Sequence, residues 1–365
     1  MLIFMDRHEI PAETTAEHVA LMHKEDMKVE HLYGCKGMTY WCDEKRHTAF
    51  CLIEAPNKKA LQDMHNHAHG EFPHSIIEVD EAVVESFLGR IADPEVSKRT
   101  ELNIINDPAF RIIMVINIKK ISFKNSTSKQ IISETINYSN FFLKSLEKFR
   151  GRIVKQKSGY FLTSFKDVTN AVLCALEIYK VANFNTNSNL VLNIGLSAGV
   201  PVTDKDEIFQ DTIRMAEHLC HNVKSIIAIT TEVKNLFENE NLKLSIDDKI
   251  VKVLNSNNEK FLNMLMDYTE KEWYNPTLTA NSLSKHLGYS KSQFYRKMIA
   301  NTGMSPNIFI KEYRLNKALN LLNKQVDNIS EVAFKIGFNS PAYFSKCFFD
   351  KYGILPSKYI KQHIV

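Results

Sequence analysis

The sequence lacks long apolar runs, paired cysteines and low-complexity tracts. No stretch of 18 apolar residues occurs, which predicts a chain without a transmembrane helix. The first residues, Met1–His8, lack the apolar stretch and cleavage site of a signal peptide. The cysteines form no CxxC pair, so the pattern predicts free thiols in a cytoplasmic protein. The six cysteines are Cys35, Cys42, Cys51, Cys174, Cys220 and Cys347.

Length and composition predict several folded domains. The chain has 365 residues, of which 44% are hydrophobic, enough for two or three domains with cores of their own. An Asn-rich stretch at Asn255–Glu259 is interpreted as a linker that precedes the last domain. The predicted domains are residues 1–100, 108–240 and 258–365.

The last hundred residues contain two helix-turn-helix patterns. They cover Leu278–Ala300 and Ile329–Tyr352. Each has a Gly at its turn (Gly288, Gly337), where a positive φ is needed, and then a Ser (Ser290, Ser340) that is expected to cap the second helix. The second helix of such a unit enters the major groove of DNA. Two patterns about fifty residues apart predict a double helix-turn-helix DNA-binding domain.

The polar positions of the two second helices are the candidate DNA contacts. Gln293 and Arg296 have side chains that can recognise base edges, whereas Lys291 and Lys297 are expected to contact phosphates. The inward positions are Phe294 and Met298 in one helix and Phe344 and Phe348 in the other. The candidate DNA-binding residues are Ser290, Lys291, Ser292, Gln293, Tyr295, Arg296 and Lys297 in the first helix, and Asn339, Ser340, Ala342, Tyr343 and Lys346 at the second.

The second unit resembles the signature of AraC/XylS-type transcription regulators. The resemblance covers about residues 261–363 and rests on Ala333, Gly337, Phe338, Tyr343, Phe344, Phe348, Gly353, Pro356 and Tyr359. It implies a seven-helix domain whose two recognition helices enter successive segments of the major groove. The charge agrees, because residues 260–365 carry 15 Lys and Arg against 7 Asp and Glu, a net +8, while the whole chain is +4.

The first hundred residues are rich in histidine and predict a βαββαβ order. The predicted strands are Leu2–His8, Gly37–Cys42, Thr48–Glu54 and Ser75–Val79, and the predicted helices are Ala16–Leu32 and Lys58–His69. That order is typical of a ferredoxin-like sandwich. Thr14 or Thr15 is expected to cap the first helix and Asn57 the second.

Four histidines are the candidate metal ligands. His65 and His69 are four residues apart, so they share one face of the second helix, while His67 points elsewhere. His23 lies on the first helix and His8 ends the first strand. Imidazoles, with a thiolate or carboxylate in addition, suit nickel, zinc or copper better than calcium or magnesium. The alternative is that these histidines are surface groups or hydrogen-bonded core residues.

Five short phrases in this region resemble a small family of uncharacterised ferredoxin-like proteins that includes a nickel-binding member. They are F-M-D-R-H from Phe4, G-M-T-Y-W from Gly37, F-C-L-I-E-A-P from Phe50, M-H-N-H-A-H-G from Met64 and I-I-E-V from Ile76. The resemblance covers about residues 1–95 and implies nickel, or another transition metal, as the bound ion. It assigns no ligand set.

The middle of the chain resembles the class III nucleotide cyclase domain over Phe110–Phe237. The landmarks are R-I-I-M-V-I-N-I from Arg111, G-R-I-V-K-Q-K-S-G-Y from Gly151, L-N-I-G-L-S-A-G-V from Leu192 and F-Q-D-T-I-R-M-A-E-H from Phe209. The resemblance implies a mixed α/β sheet and head-to-tail pairing of two copies, hence a homodimer.

The cyclase resemblance lacks the residues that cyclase chemistry requires. Two-metal phosphoryl transfer needs two carboxylates, and this chain has Asn117 and Ser158 at those positions. The positions that steady the substrate hold Arg214 and His218, and Asp211 belongs to another segment. Lys155 and Lys157 are interpreted as surface lysines or an anion site. No enzyme activity is therefore expected.

The sequence as a whole predicts a multidomain α+β protein that acts as a cytoplasmic, sequence-specific DNA-binding transcription regulator. A metal ion or small ligand, bound to the first or middle domain, is expected to control it. The expected partners are double-stranded DNA and a second copy of the chain, with no membrane. Two alternatives stay open: a nucleotide cyclase fused to a DNA-binding domain, and a metal-binding protein with non-specific affinity for DNA.

Overall fold

The computed structural model describes residues 1–70, 72–94, 102–120, 122–123, 128–184, 190–242, 244–324 and 327–363. The chain is a mixed α+β protein built from two sheets and a helical C-terminal region. Of the helices in these ranges, none is both long enough and apolar enough to cross a bilayer. All six cysteines are free and buried.

The first sheet is antiparallel, with strand order β2-β3-β1-β4. Thr15 caps α1 and Asn57 caps α2, each by accepting a hydrogen bond from a backbone N–H in the first turn. The predicted helix to Leu32 ends its α-helical part at Val29 and finishes as a 3-10 turn. The elements are β1 (Leu2–Glu9), α1 (Ala16–Val29), β2 (Lys36–Asp43), β3 (Thr48–Ala55), α2 (Lys58–Ala68), β4 (Ser75–Glu78) and α3 (Glu81–Leu88).

The second sheet has six strands in the order β10-β9-β8-β5-β7-β6. Strands β5 to β8 pair antiparallel, and β9 and β10 extend the sheet in parallel beyond β8. The sheet continues to Leu254, past residue 240. Its elements are β5 (Arg111–Lys120), α4 (Ser128–Lys148), β6 (Arg152–Lys157), β7 (Tyr160–Phe165), α5 (Val168–Phe184), β8 (Leu190–Gly199), α6 (Gln210–Asn222), β9 (Ile227–Thr230), α7 (Thr231–Glu240) and β10 (Val251–Leu254).

In the residues that the structure describes, the C-terminal region consists of seven helices. The stretch Asn255–Glu259 is not a linker, because the Asn255 side chain caps α8 and the following residues form its first turn. A run of small polar residues is as suitable for a helix N-terminus as for a loop. The helices are α8 (Ser256–Glu272), α9 (Ala280–His286), α10 (Lys291–Thr302), α11 (Pro306–Lys324), α12 (Ile329–Lys335), α13 (Pro341–Tyr352) and α14 (Pro356–His363).

The two sheets share a hydrophobic core. Side chains alternate along a strand, so β1 points Met5 toward the second sheet and Phe4 toward α1 and α2. The shared core contains Met5, Trp41 and Phe50 from the first sheet and Val115 from the second, with Phe87 of α3 against Phe209. One face of each sheet is therefore covered by the other region of the same chain.

The middle region also contributes to the cores of both helix-turn-helix units. Met215 and Leu219 of α6, with Val223 just after it, pack with Phe261 and Leu265 of α8, in the cluster that contains the first unit. Phe123, which follows β5, packs in the cluster of the second unit. Its N–H donates to the carbonyl of Tyr352 at 2.8 Å, and its ring lies 5.0 Å from that of Tyr359.

Candidate nucleic-acid interface and metal cluster

The two recognition helices, α10 and α13, begin with the predicted serine caps. The Ser290 hydroxyl accepts from the N–H of Gln293, and Gln293 Oε1 accepts from the N–H of Ser290 in return. Ser340 accepts from the N–H of Tyr343, and Pro341 occupies the first helical position. Because its Oε1 is engaged in the cap, Gln293 has its amide N–H groups available for a base.

The turns of both units use glycine in the left-handed conformation. Gly288 has φ 73° and Gly337 has φ 80°. Beyond the strain of a positive φ, a Cβ at Gly337 would lie 2.9 Å from the carbonyl oxygen of Tyr274, whereas the space around Gly288 is open. At Gly337 both the positive φ and the lack of space exclude a side chain, whereas at Gly288 only the positive φ does.

The candidate DNA-binding side chains lie on the outer faces of the recognition helices. Phe294, Met298, Phe344 and Phe348 are buried, as predicted. Lys297 and Ser340 are half-buried. The other candidates are exposed: Ser290, Lys291, Ser292, Gln293, Tyr295, Arg296, Asn339, Ala342, Tyr343 and Lys346. The ammonium of Lys297 lies 5.4 Å from the ring centroids of Phe261 and Tyr289. Each recognition helix therefore has an apolar inner face and an outer face of polar and cationic side chains.

A second concentration of polar groups is buried under the first sheet, with His65 at its centre. Nε2 of His65 lies 2.8 Å from Oδ2 of Asp6, and Nδ1 lies 3.0 Å from Oδ1 of Asp26. Asp6 also accepts from the N–H of Cys51 at 3.0 Å, and Nε2 of His69 lies 3.3 Å from Asp26. Asp6, Asp26 and His65 are all buried. Two carboxylates and a histidine thus form one hydrogen-bonded network away from water.

The network shifts the pKa values of its members. Burial opposes a charge on His65, but the carboxylates of Asp26 and Asp6 outweigh it and raise the pKa of His65 to about 10. Burial likewise opposes ionisation of Asp6, yet His8 and His65 hold its pKa well below the usual range. Burial, the dominant effect at Cys51, raises the pKa of its thiol well above 9.0. Without a metal, His65 is therefore an imidazolium between two aspartates.

The donor atoms of this cluster fit a transition-metal ion. Asp6, His8 and Cys51 form one group whose ligand atoms lie within 4.8 Å of one another, and Asp26, His65 and His69 form another. Nε2 of His8 is buried and has no hydrogen-bond partner in the described part of the chain. A cavity of about 20 Å³ lies among these groups, enough for a single small species. Imidazole, carboxylate and thiolate donors together suit nickel, zinc or copper.

Three of the four predicted metal ligands meet in this cluster. The rings of His8 and His65 have centroids 5.1 Å apart, and those of His65 and His69 are 5.2 Å apart. His23 lines the same cavity but belongs to neither ligand group, and its Nε2 lies 4.0 Å from Asp93. His67 points elsewhere, as predicted, and is 3.0 Å from the Tyr33 hydroxyl.

The histidine pattern missed Asp6, Asp26 and Cys51. One indication was present in the sequence, because Asp6 and His8 are two apart in a mainly apolar strand and therefore share a face. A second was the spacing of His23 and Asp26, three apart on one helix. The position of Cys51 opposite Asp6 in β3 requires the strand register, which no local pattern gives.

The positions compared with cyclase metal and substrate residues have other partners here. Asn117 lies on β5 opposite Tyr160 of β7. Arg214 is 2.8 Å from Asp267, and Nδ1 of His218 is 2.8 Å from Oδ1 of Asn263, so both side chains join α6 to α8. Asp211 accepts from the Thr203 hydroxyl, and Lys155 and Lys157 are exposed.

Two regions of the chain match known protein families. Residues 283–362 match a helix-turn-helix domain family, and residues 4–79 match the family described as nickel responsive protein SCO4226-like. The C-terminal region is an AraC-type helix-turn-helix domain, as predicted. The cyclase resemblance of the middle region stays a prediction.

Individual relatives match parts of the chain. The chain is 34% identical over 135 residues to histidine kinase P4 of Formosa agariphila, a match that covers 35% of this chain and 10% of that protein. It is 33% identical over 98 residues to the transcriptional regulator MtrA of Neisseria gonorrhoeae, covering 27% of this chain and 31% of the other. Other matched relatives are named as transcriptional regulators. The chain thus spans at most about a third of the length of these first two relatives.

A solved structure matches the N-terminal region. The crystal structure of SCO4226 from Streptomyces coelicolor A3(2) is 31% identical and covers 21% of this chain and 94% of that one, with a TM-score of 0.20.

Proposed function

We propose that this protein is a sequence-specific transcription regulator that acts in the cytoplasm on double-stranded DNA and responds to a metal ion. The observation that carries the proposal is the pair of capped helices, α10 and α13, that present exposed polar and basic side chains from a domain of the AraC type. Relatives named as transcription regulators support it.

The first recognition helix is proposed to read DNA through Gln293 and Arg296. Arg296 is exposed, and its guanidinium has five donors in a planar arrangement that suits the O6 and N7 atoms of guanine. We expect Arg296→Ala to cost about 1–3 kcal/mol of binding free energy and to relax the preference at one base position. Fluorescence anisotropy against a set of single-base operator variants measures both. A uniform loss across all sequences would instead identify Arg296 as a phosphate contact.

The first module, which comprises the sheet β2-β3-β1-β4 with α1 and α2, is proposed to be a ferredoxin-like metal-binding unit for nickel or another transition metal. The ligands are drawn from Asp6, His8, Asp26, Cys51, His65 and His69, which are supported by their mutual distances and by the buried Nε2 of His8, 3.5 Å from Oδ1 of Asp6. A bound divalent cation would supply positive charge beside the buried carboxylates of Asp6 and Asp26. The strand order β2-β3-β1-β4 and the match to a nickel-responsive family support this assignment.

The middle module comprises the six-stranded sheet and helices α4 to α7. It is proposed to relay the state of the metal cluster to the DNA-binding domain. Asp6 and His8 lie on one face of β1, and Arg7 lies on the other, where its Nη1 donates to the carbonyl of Val202 at 3.3 Å. The segment that starts at Val202 leads into α6, which packs against α8. A change in the position of β1 would therefore be transmitted through this segment and α6 to α8, the first helix of the DNA-binding domain. In thermodynamic terms, metal would shift a population between two arrangements of different DNA affinity.

We further propose that the middle module is a cyclase-like domain without cyclase activity and that the protein binds DNA as a homodimer. The antiparallel order β6-β7-β5-β8, with α4 and α5 packed on one face, supports the first assignment. In a homodimer, the face of the second sheet that packs on the first sheet is already covered, so a second copy must use another surface. Analytical ultracentrifugation with and without operator DNA tests the dimer.

The experiment that tests the function combines DNA and metal in one titration. Operator fragments are first selected from random duplexes with the purified chain, and binding to them is then measured against unrelated DNA with and without Ni²⁺. We expect specific binding whose affinity changes on metal addition. The variant His65→Gln should abolish the change, while His31→Gln, at an exposed histidine outside the cluster, should keep it.

Three outcomes separate the hypotheses. Specific binding that no tested metal alters would remove the metal response and keep the regulator. Binding that is equally strong for all sequences, with a steep salt dependence, would favour a metal-binding protein with incidental DNA affinity. A cyclic nucleotide detected by mass spectrometry after incubation with ATP or GTP and Mn²⁺ would support the cyclase hypothesis, which Asn117 and Ser158 oppose.

A further inference from the structure

An open groove runs along the first recognition helix, between α10 and the start of α8. Its volume is about 330 Å³. Gln293, Arg296 and Lys297 line it from α10, Asn301 lies at its far end, and Asn258 lines it from α8. Asn258 precedes both helix-turn-helix patterns in the chain, so no local pattern places it beside a recognition helix.

The groove has the chemistry of an anion site. No Asp or Glu is among its lining residues. Within the described part of the chain, the guanidinium of Arg296 has neither an ion pair nor a hydrogen bond. The ammonium of Lys297 faces aromatic rings rather than a carboxylate. Oδ1 of Asn258 accepts from Nδ2 of Asn301 at 3.4 Å, which leaves the Asn258 amide group as a donor. Two cations and a side-chain amide therefore surround the space without a counter-charge.

The groove lies beside the face that is expected to meet the bases. With 100° per residue, Phe294 and Met298 point inward, Ser292 and Arg296 point outward, and Gln293 and Lys297 lie on the flank toward α8. A recognition helix inserted with its outer face on the base edges places its flank next to the sugar–phosphate backbone.

We propose that this groove receives a phosphodiester of the DNA backbone, bound by Lys297 from α10 and by Asn258 from α8. The proposal rests on the proposed function and deepens it, because it makes α8 a DNA-contacting helix. Arg296 stands at the border between the bases and this phosphate. The contact fixes the rotation of α10 in the major groove without carrying sequence information itself.

The assignment of Asn258 connects the phosphate contact to the rest of the molecule. Five residues further along α8, Asn263 binds His218 of α6, and Asp267 pairs with Arg214 at 2.8 Å. The helix proposed to contact the DNA backbone, α8, is thus also the helix that packs against α6 of the middle module. Any displacement of α6 would move Asn258 relative to Lys297 and change the fit of the groove to a phosphate.

The test compares two substitutions that add the same charge to the same helical turn. Asn258→Asp keeps the Oδ1 acceptor for Asn301 but points a carboxylate into the groove, and Asn257→Asp puts one on the exposed neighbouring position. Both are titrated with the selected operator and with unrelated DNA over a series of salt concentrations. We expect Asn258→Asp to weaken binding about tenfold or more for every sequence and Asn257→Asp to weaken it about twofold or less. Lys297→Met should lower the slope of log affinity against log salt by about 1.

Each outcome decides the proposal. Equal effects of the two Asp substitutions, at equal thermal stability, would overturn it while leaving the regulator intact. A wild-type chain that binds no DNA would overturn it together with the proposed function. Displacement of wild-type DNA by inorganic pyrophosphate at constant ionic strength, absent in Asn258→Asp while that variant binds DNA normally, would reassign the groove to a free phosphate ligand.

Discussion

The first module and the antiparallel four-stranded part of the middle module, which is the second module in chain order, have the same strand order and different interiors. In the first, the order is β2-β3-β1-β4, and the face of β1 under the helices carries Asp6 and His8. In the second, the order β6-β7-β5-β8 is equivalent, and the corresponding face of β5 carries Ile112, Met114 and Ile116. One module encloses a charged network and the other an apolar core on the same framework.

The comparison shows that the site is a property of a few side chains and not of the fold. Either arrangement of strands and helices can be stabilised by apolar packing, as the second module demonstrates. The first module gives up part of that packing to enclose charges, which are stable only while every charge keeps its partner. Retaining such a network is consistent with a binding role and offers no stability advantage over an apolar core.

The largest expected effect is the loss of the central charge in the first module. His65→Leu leaves Asp6 and Asp26 buried without a counter-charge, so we expect the free energy of unfolding to fall by about 3–5 kcal/mol. Trp41, buried in this module, reports its urea transition by fluorescence when Trp273, the second of the two tryptophans, is replaced by Phe. A transition that stays at the wild-type midpoint would show that the network is not needed for stability.

Two further variants distinguish the loss of a counter-charge from the loss of apolar packing. Adding Asp6→Asn and Asp26→Asn to His65→Leu removes the stranded charges, and this triple variant should recover much of the loss. In the second module, Met114→Ala should cost about 2–5 kcal/mol through its cavity alone, and no second substitution of a charged residue should restore it.

The next effect concerns a contact between the second module and the DNA-binding helices. Phe123→Ala removes a ring from the core of the second helix-turn-helix unit, with an expected cost of about 3 kcal/mol. In a Trp41→Phe background, Trp273 reports the C-terminal transition, because it packs against this core. We expect that transition to shift to lower urea while the metal response of the first module is unchanged. Coincident shifts in both modules would mean that the chain unfolds as one unit.

The smallest expected effect is on how the free energy of unfolding depends on pH, and it comes from His221, whose environment is the opposite of that of His65. The pKa of His65 is raised to about 10, whereas burial, assisted by Lys119, lowers the pKa of His221 on α6 to about 3. The unfolded chain binds a proton at His221 near pH 6.5 and the folded chain does not, so this contribution is complete above about pH 6.5 and is lost as the pH falls toward about 3. At pH 5 the loss is about 2 kcal/mol. His221→Asn should flatten the dependence of stability on pH between 7 and 5, measured by urea titration at each pH, and an unchanged dependence would contradict the assignment.

Much of this architecture follows from local sequence. The serine caps at Ser290 and Ser340, the turn glycines and the inward phenylalanines depend on neighbours three or four residues away, and they lie where the pattern predicts. The pairing of His65 with His69 is equally local, because one helical turn brings the two together. The strands of the first module were predicted to within a residue or two for the same reason.

The rest depends on contacts between distant segments. Asp6, Asp26 and His65 meet only after strand and helix packing, and an aspartate in a strand has no local feature that marks its partner. Asn255–Glu259 has a composition that suits a loop and a helix N-terminus equally, and the helix that it begins packs on α6, a contact between segments far apart in the chain. Nothing in the sequence around Phe123 indicates which core its ring enters. Its partners Phe344, Phe348 and Tyr352 lie more than 200 residues further along the chain.

The position of Phe123 has a consequence for biosynthesis. The ribosome delivers the chain from the N-terminus, so Phe123 and the apolar side of α6 emerge long before the helices that cover them. The apolar side of α6 remains exposed until α8 is translated, and Phe123 remains exposed until the last helices follow, on a nascent chain whose first sheet is already able to form. A truncated product that ends before α13 would expose the surface around Phe123 permanently and would be a substrate for chaperones or proteases rather than a working half-molecule.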